Sequence, residues 1–442
     1  MSSEDFRLVE RERAWQDPAL PVPPLEETQE LVRERWAATA EPREALLAAI
    51  DSRKEEWYDM LAELVKVPST NPSPEGERAM ADRVAVEMTS LGMEVKQLES
   101  MPNRVSNFAT LTGTHSHPTL SENLLYYGHM DTVPVGLESN WVYPPFSATI
   151  ADGKMWGRGT KDCKLGIASA LSSTRVLQEL GIELAGDLMM VTPGDEETGG
   201  HLGIAKVIDA GWLDGVKAAV YGEGSPDRLT IGARGGCQFK VTVLGKSSHT
   251  ARKESGINAI LRALKVAEAV ENIEFDDFTE HPVVPGAPRA SVNLISGGFK
   301  INVVPDRCEF EVDCRFPPGY SDGQVMQVVE RTIEGLKGQP GLEDLQYFLE
   351  VTSVMRPYAV DYRQPVAQML QRCVEESTGT EPYMVGMPAS SDARWIYLDA
   401  KVPIVNFSHG NDSGHQPNEY VDLDAIVGNV TSYALLTLML LA

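Results

Sequence analysis

Cysteine is scarce in this 442-residue chain, with five residues (Cys163, Cys237, Cys308, Cys314, Cys373), an odd count, and no Cys-x-x-Cys pair. That excludes a disulfide framework and a thiolate zinc finger, and it points to a reducing compartment. Basic residues are also few, 39 against 64 acidic ones, leaving a formal charge of -25. A field of that sign repels phosphate backbones and anionic lipid surfaces, so neither nucleic acid nor a membrane is an expected partner. No run of 18 apolar residues occurs, and the opening MSSEDFRLVERERAWQD is charged throughout without a signal-type apolar stretch. The expected location is therefore cytoplasmic. A G-x-S-x-G elbow is also missing, which removes the sequence basis for a serine hydrolase.

What is present describes an ordinary globular protein, 42% hydrophobic and 23% charged. Single cores stop growing at roughly 250–300 residues, so two domains are expected. Residues 1–45 contain PALPVPP and are expected to form an extended N-terminal segment. From Glu44, apolar residues at helical spacing flank the breaker-rich VPSTNPSPEGE. Short strands and helices then alternate through residues 46–233, which predicts an α/β sheet covered on both faces. Residues 234–352 change style, with alternating strands (GCQFKVTVLG, RASVNLISGG, RCEFEVDCRFPP, QYFLEVTS) and two helices. That pattern predicts an inserted four-stranded α+β unit. Residues 353–442 return to the α/β style.

Five segments in the α/β part carry the residues that metal-assisted hydrolysis uses. GHMDTVP places His129 and Asp131 two apart at a strand end, so both face the same way and Asp131 can hold a ring nitrogen of His129. WGRGTKDCKLG presents Asp162 just before a helix, as a bridging carboxylate or a plain N-cap. VTPGDEETGG sets Glu196 and Glu197 after an apolar strand; one can ligate while the other accepts a proton. VYGEGSP offers Glu223, and SHGNDSGHQPNEY offers His409 and His415, with His415 the better ligand. Mixed His, Asp and Glu donors without cysteine suit catalytic zinc or manganese better than structural zinc.

These segments, in this order and with an insertion between the fourth and fifth, resemble the superfamily of aminoacylase, carboxypeptidase G, acetylornithine deacetylase and succinyl-diaminopimelate desuccinylase. The resemblance covers about residues 55–440. It implies a zinc-peptidase-like catalytic domain with helices on both faces of a mixed sheet, and an inserted ferredoxin-like lid and dimerisation domain. It further implies two divalent ions, zinc first with cobalt or manganese possible, of the two-metal kind typically about 3.5–4 Å apart. His129 and Glu223 would hold one, Glu197 and His415 the other, and Asp162 both. Asp131 would orient His129, Glu196 would be the general base, and the peptide from Asp162 to Cys163 would be cis.

In the inserted unit the resemblance implies substrate contacts at Arg234, His249, Asn302 and Arg315, with Asn258 a further polar candidate. His249 would stabilise the oxyanion, reaching the site of a second subunit in a homodimer. MPASSDARWIY, with Ser390 and Ser391, resembles a late substrate loop. The substrate would be a small molecule bearing a carboxylate. Family members that remove acyl groups tend to have glutamate at the position of Glu223, which leans the expectation towards an N-acyl amino acid over a dipeptide.

Overall fold

The computed structural model describes residues 20–114, 123–275 and 279–442, which fall into two compact units. Among the described residues the larger comprises 20–231, Val360–Val385 and Ser391–Ala442, and the smaller Gly232–Ala359 and Gly386–Ser390.

In the larger unit a mixed sheet runs β1 (Glu94–Met101), β2 (Arg104–Leu111), β6 (Leu188–Thr192), β3 (Asn123–Tyr127), β7 (Val216–Tyr221), β15 (Ile404–Asn406) and β8 (Arg228–Ala233). The inner strands β6, β3, β7 and β15 are mutually parallel, whereas β1, β2 and β8 join antiparallel. Parallel strands are covered on both faces, which explains why all five residues of β6 are apolar or buried Thr192. Two of the covering helices are α5 (Lys164–Glu179) and α11 (Leu423–Leu441), which pack on each other.

Helix α11 is long and apolar enough by composition to cross a membrane, but 72% of its 18-residue window is buried inside the protein. Helices α2 (Ala40–Asp51), α3 (Lys54–Val65) and α9 (Pro365–Thr378) also pack against it, so its apolar surface serves the core. Helix α5 approaches the turn after β7 so closely that a Cβ on Gly166 would lie 2.6 Å from Gly222 Cα. Only glycine at both positions permits that packing, which sets the start of α5 beside Glu223.

The N-terminal expectation needs correction. Residues 20–24 have no regular structure, but Leu25–Ala38 forms helix α1, which packs on α9 and α11. Arg35 donates to the terminal carbonyls of α11 at Met439 and Ala442, groups that no intrahelical N–H can reach. Thr28 donates to Arg363 O at 3.0 Å. These partners are more than 300 residues distant in sequence, so local proline signals could not report them.

The smaller unit holds a four-stranded antiparallel sheet in the order β11 (Arg289–Gly297), β13 (Arg307–Phe316), β9 (Gly235–Leu244), β14 (Tyr347–Met355). Helices α7 (Ala259–Glu271) and α8 (Asp322–Glu334) complete it. Phe239, Val241, Val266, Phe310, Val312 and Val329 form its core, the alternate residues of each strand meeting the apolar stripe of each helix. Asn258 caps α7, its Oδ1 accepting from Ile260 N at 2.9 Å, a local structural duty.

Candidate active site

The parallel strands deliver their next residues to one edge of the sheet. His129 and Asp131 follow β3, Glu196 and Glu197 follow β6, Glu223 follows β7, and His415 lies in the loop beyond β15. Carboxyl ends of parallel strands are where open α/β sheets carry ligands. Asp162 ends a loop from β5 (Lys154–Trp156), and its peptide to Cys163 is cis.

The central feature is how Asp162 divides its oxygens. Oδ1 lies 3.0 Å from His129 Nε2, which is 3.8 Å from Glu223 Oε1. Oδ2 lies 3.3 Å from His415 Nε2, which is 3.1 Å from Glu197 Oε2. Two donor triads therefore share one carboxylate: His129, Asp162, Glu223 and Asp162, Glu197, His415. His129, Glu196 and Glu197 also lie within ligand range of one another. That third grouping reuses ligands of the first two, so we read it as Glu196 standing beside both.

His129 Nδ1 sits 2.9 Å from the backbone carbonyl of Asp131 and 3.4 Å from its Oδ1. The ring nitrogen thus donates mainly to the main chain, leaving Nε2 as the lone-pair face towards Asp162. The Asp131 carboxylate has further work: it accepts from Glu196 N (3.2 Å), Glu197 N (3.1 Å) and Asn71 Nδ2 (3.0 Å). It thereby fixes the acidic turn. Asp195 enters that turn at φ 76° and Gly199 and Gly200 leave it at 107° and 72°, values that asparagine-like side chains and glycine tolerate. Arg394 and Trp395 hold it from the far side, donating to Gly199 O at 2.7 and 3.2 Å.

Burial, reinforced by Asp392, raises the Glu196 carboxyl well above the usual carboxylate range. Glu223 is raised by burial and by neighbouring Asp162. Burial opposes ionisation of Asp162 too, but Lys161 and the two histidines prevail and hold it well below the usual value. Hydrogen bonds donated to Asp162 and Glu197 bring His415 up to about 10.

The donor set fits divalent cations. Four carboxylates and two imidazoles converge, and Glu197 Oε1 is buried without a hydrogen-bond partner among the described residues. Packing so much negative charge in low dielectric is unfavourable unless cations compensate it. Hard oxygen and imidazole donors suit zinc, cobalt or manganese.

His409, the other histidine of the late loop, is elsewhere. It is buried, with Ser432 Oγ 3.3 Å from its Nε2 and its ring edge-on to Phe407. Burial pushes its pKa down to about 4 from 6.5. A lowered pKa means that stability is complete above pH 6.5 and declines as pH falls towards 4, by about 3 kcal/mol. Urea unfolding from pH 7 to 4 should show the stability gap between wild type and His409→Gln shrinking by about that amount; a constant gap would contradict it.

Ser391 is buried, its Oγ accepting from Asn406 Nδ2 (3.0 Å) and Ala393 N (3.2 Å). The remaining sequence candidates belong to the smaller unit. His249 is exposed at the end of β10 (Ser248–His249), its Nδ1 accepting from Ala251 N, and Asn302 O accepts from Thr250 N. Arg234 donates to Pro285 O and Ala287 O, and Arg315 pairs with Asp313 at 2.7 Å. Sequence reasoning missed Asn71, Arg394 and Trp395, whose partners are distant in the chain.

Acids and histidines gathered at the carboxyl edge of an α/β sheet, around one shared carboxylate, define a hydrolytic enzyme. The sequence model of peptidase family M20/M25/M40 matches residues 125–438, and the chain belongs to that family. A succinyl-diaminopimelate desuccinylase of Roseobacter denitrificans is 26% identical over 377 residues, covering 83% of this chain and 94% of its own. A dipeptidase of Saccharomyces cerevisiae has the same fold at 16% identity and TM-score 0.71, over 90% of this chain and 98% of that one. So has a dinuclear metal-binding peptidase of Bacillus subtilis, at 17% identity and TM-score 0.66, over 88% and 99%.

Proposed function

We propose that the chain is a two-metal amidohydrolase that releases the acyl group from an N-acyl amino acid, with Glu196 as general base. The observation that carries the reading is the Asp162 carboxylate, each oxygen of which faces its own histidine and acid. His129 and Glu223 would hold one ion, Glu197 and His415 the other, and Asp162 both. Such ions, zinc on donor chemistry, supply polarisation of the scissile carbonyl and a lowered pKa for the attacking water.

Glu196 takes the proton of that water as it attacks the carbonyl carbon, keeps it, and delivers it to the departing amine as the C–N bond breaks. Asp131 keeps Glu196 and Glu197 in register through their backbone N–H groups. Acyl specificity draws support from Glu223 and from the desuccinylase relatives; the dipeptidase of the same fold makes a dipeptide the second reading. Chelator-sensitive hydrolysis of N-acetyl and N-succinyl amino acids should exceed that of dipeptides, and faster dipeptide cleavage would overturn the acyl assignment.

The smaller unit, in this reading, is a ferredoxin-like lid through which two copies pair. Leu261, Leu264, Leu294, Ile295, Phe299 and Ile301 support this, a set of exposed apolar side chains from α7 to the turn after β11. His249 would stabilise the oxyanion across subunits, and Arg234, Asn302 and Arg315 would bind the substrate carboxylate. Mixing Glu196→Gln chains with His249→Ala chains should then restore one working site per heterodimer. No recovery on mixing would exclude action across subunits.

A further inference from the structure

The QPNE stretch after His415 ends in Glu419, a fully buried acid that the mechanism above does not use. Its Oε1 accepts three backbone N–H groups, from Gly159 (3.1 Å), Lys161 (2.9 Å) and Asp162 (3.1 Å). Its Oε2 accepts from Arg158 Nη1 at 2.6 Å, and Arg158 is itself 2% exposed. The Glu419 backbone carbonyl also accepts from Gly157 N at 2.9 Å. One residue thus gathers the loop Gly157–Asp162 onto itself. Gly159, at φ 88°, supplies the left-handed step that turns the N–H groups inward.

We infer that Glu419 is the positioning residue for the shared carboxylate: it clamps the loop whose last residue is Asp162, and so sets where both Asp162 oxygens point. The inference rests on the two-metal reading of the site. Glu419 is four residues from His415, so a single short segment both supplies the histidine facing Oδ2 and fixes the backbone of Asp162. A merely structural ion pair with Arg158 would need only one carboxylate oxygen; the other is spent entirely on the loop. The four hydrogen bonds to its carboxylate oxygens all come from donors, the arrangement that an ionised carboxylate satisfies.

Glutamine at 419 keeps the shape but must either turn its amide NH2 towards the three N–H groups or present it to the Arg158 guanidinium. Either choice sets donor against donor and releases part of the loop. The test is titration of metal-free protein with cobalt(II), following the visible d–d spectrum and competition with a chelator, with folding checked by circular dichroism. Wild type should bind two ions per chain; if it binds none, the two-metal reading fails first, before Glu419 is at issue.

Given two ions in wild type, Glu419→Gln should stay folded, show an altered cobalt spectrum, and bind about 10- to 100-fold more weakly, the range for groups that orient ligands. Glu419→Asp, which keeps the charge but withdraws it by one methylene, should shift the spectrum in the same sense and carries the test where the glutamine variant does not fold. A folded variant with a lowered melting temperature but wild-type cobalt affinity and spectrum would overturn the proposal and leave Glu419 a structural residue.

Discussion

Glu196→Gln should lower kcat by about 10²- to 10⁴-fold, the contribution of a positioned general base, while the protein retains its metal. The substitution is isosteric, and the backbone N–H of residue 196 still reaches Asp131 at its present 3.2 Å. What disappears is a carboxylate that lies within ligand range of His129 and Glu197 yet belongs to neither of the two triads that share Asp162. Steady-state kinetics with a metal assay on the same sample separates the effects. A loss of metal together with activity would make Glu196 a ligand, and retained activity would remove it from the chemistry altogether.

Asp162→Asn should be more severe, because it strikes both triads at once. The amide offers one acceptor where the carboxylate offers two, so one histidine meets an NH2 group. The half-buried Lys161, whose Nζ lies 3.8 Å from Asp162 Oδ2, also loses a counter-charge. Metal affinity should fall by more than the roughly 10- to 100-fold typical of outer-shell changes, and hydrolysis should drop below detection. Emission spectroscopy after dialysis against dilute zinc checks this. A variant that retained two ions per chain would show that Asp162 is not shared.

Much of the site was legible because its residues follow a local grammar. Glu196, Glu197 and Glu223 sit in glycine-rich turns directly after apolar strands, and such strands end where parallel sheets present ligands. The same grammar gave the alternation of strand and helix and the change of style at the inserted unit. It failed where structure depends on meetings between distant residues. Helix α1 is held by the last carbonyls of α11, and Asn71 reaches Asp131 and Thr198 across the chain. Arg394 reaches Gly199 from 195 residues away. Two histidines six positions apart, His409 and His415, look alike in sequence; only packing shows that one fills the core beside Phe407 while the other faces Asp162 and Glu197.

The central claim is that one carboxylate organises two ions. Anomalous diffraction at the zinc edge, from crystals of zinc-reconstituted protein, tests it most directly. The account predicts two peaks, one on the His129 and Glu223 side of Asp162 and one on the His415 and Glu197 side. A single peak, or two peaks with Asp162 contacting neither or only one, would contradict it.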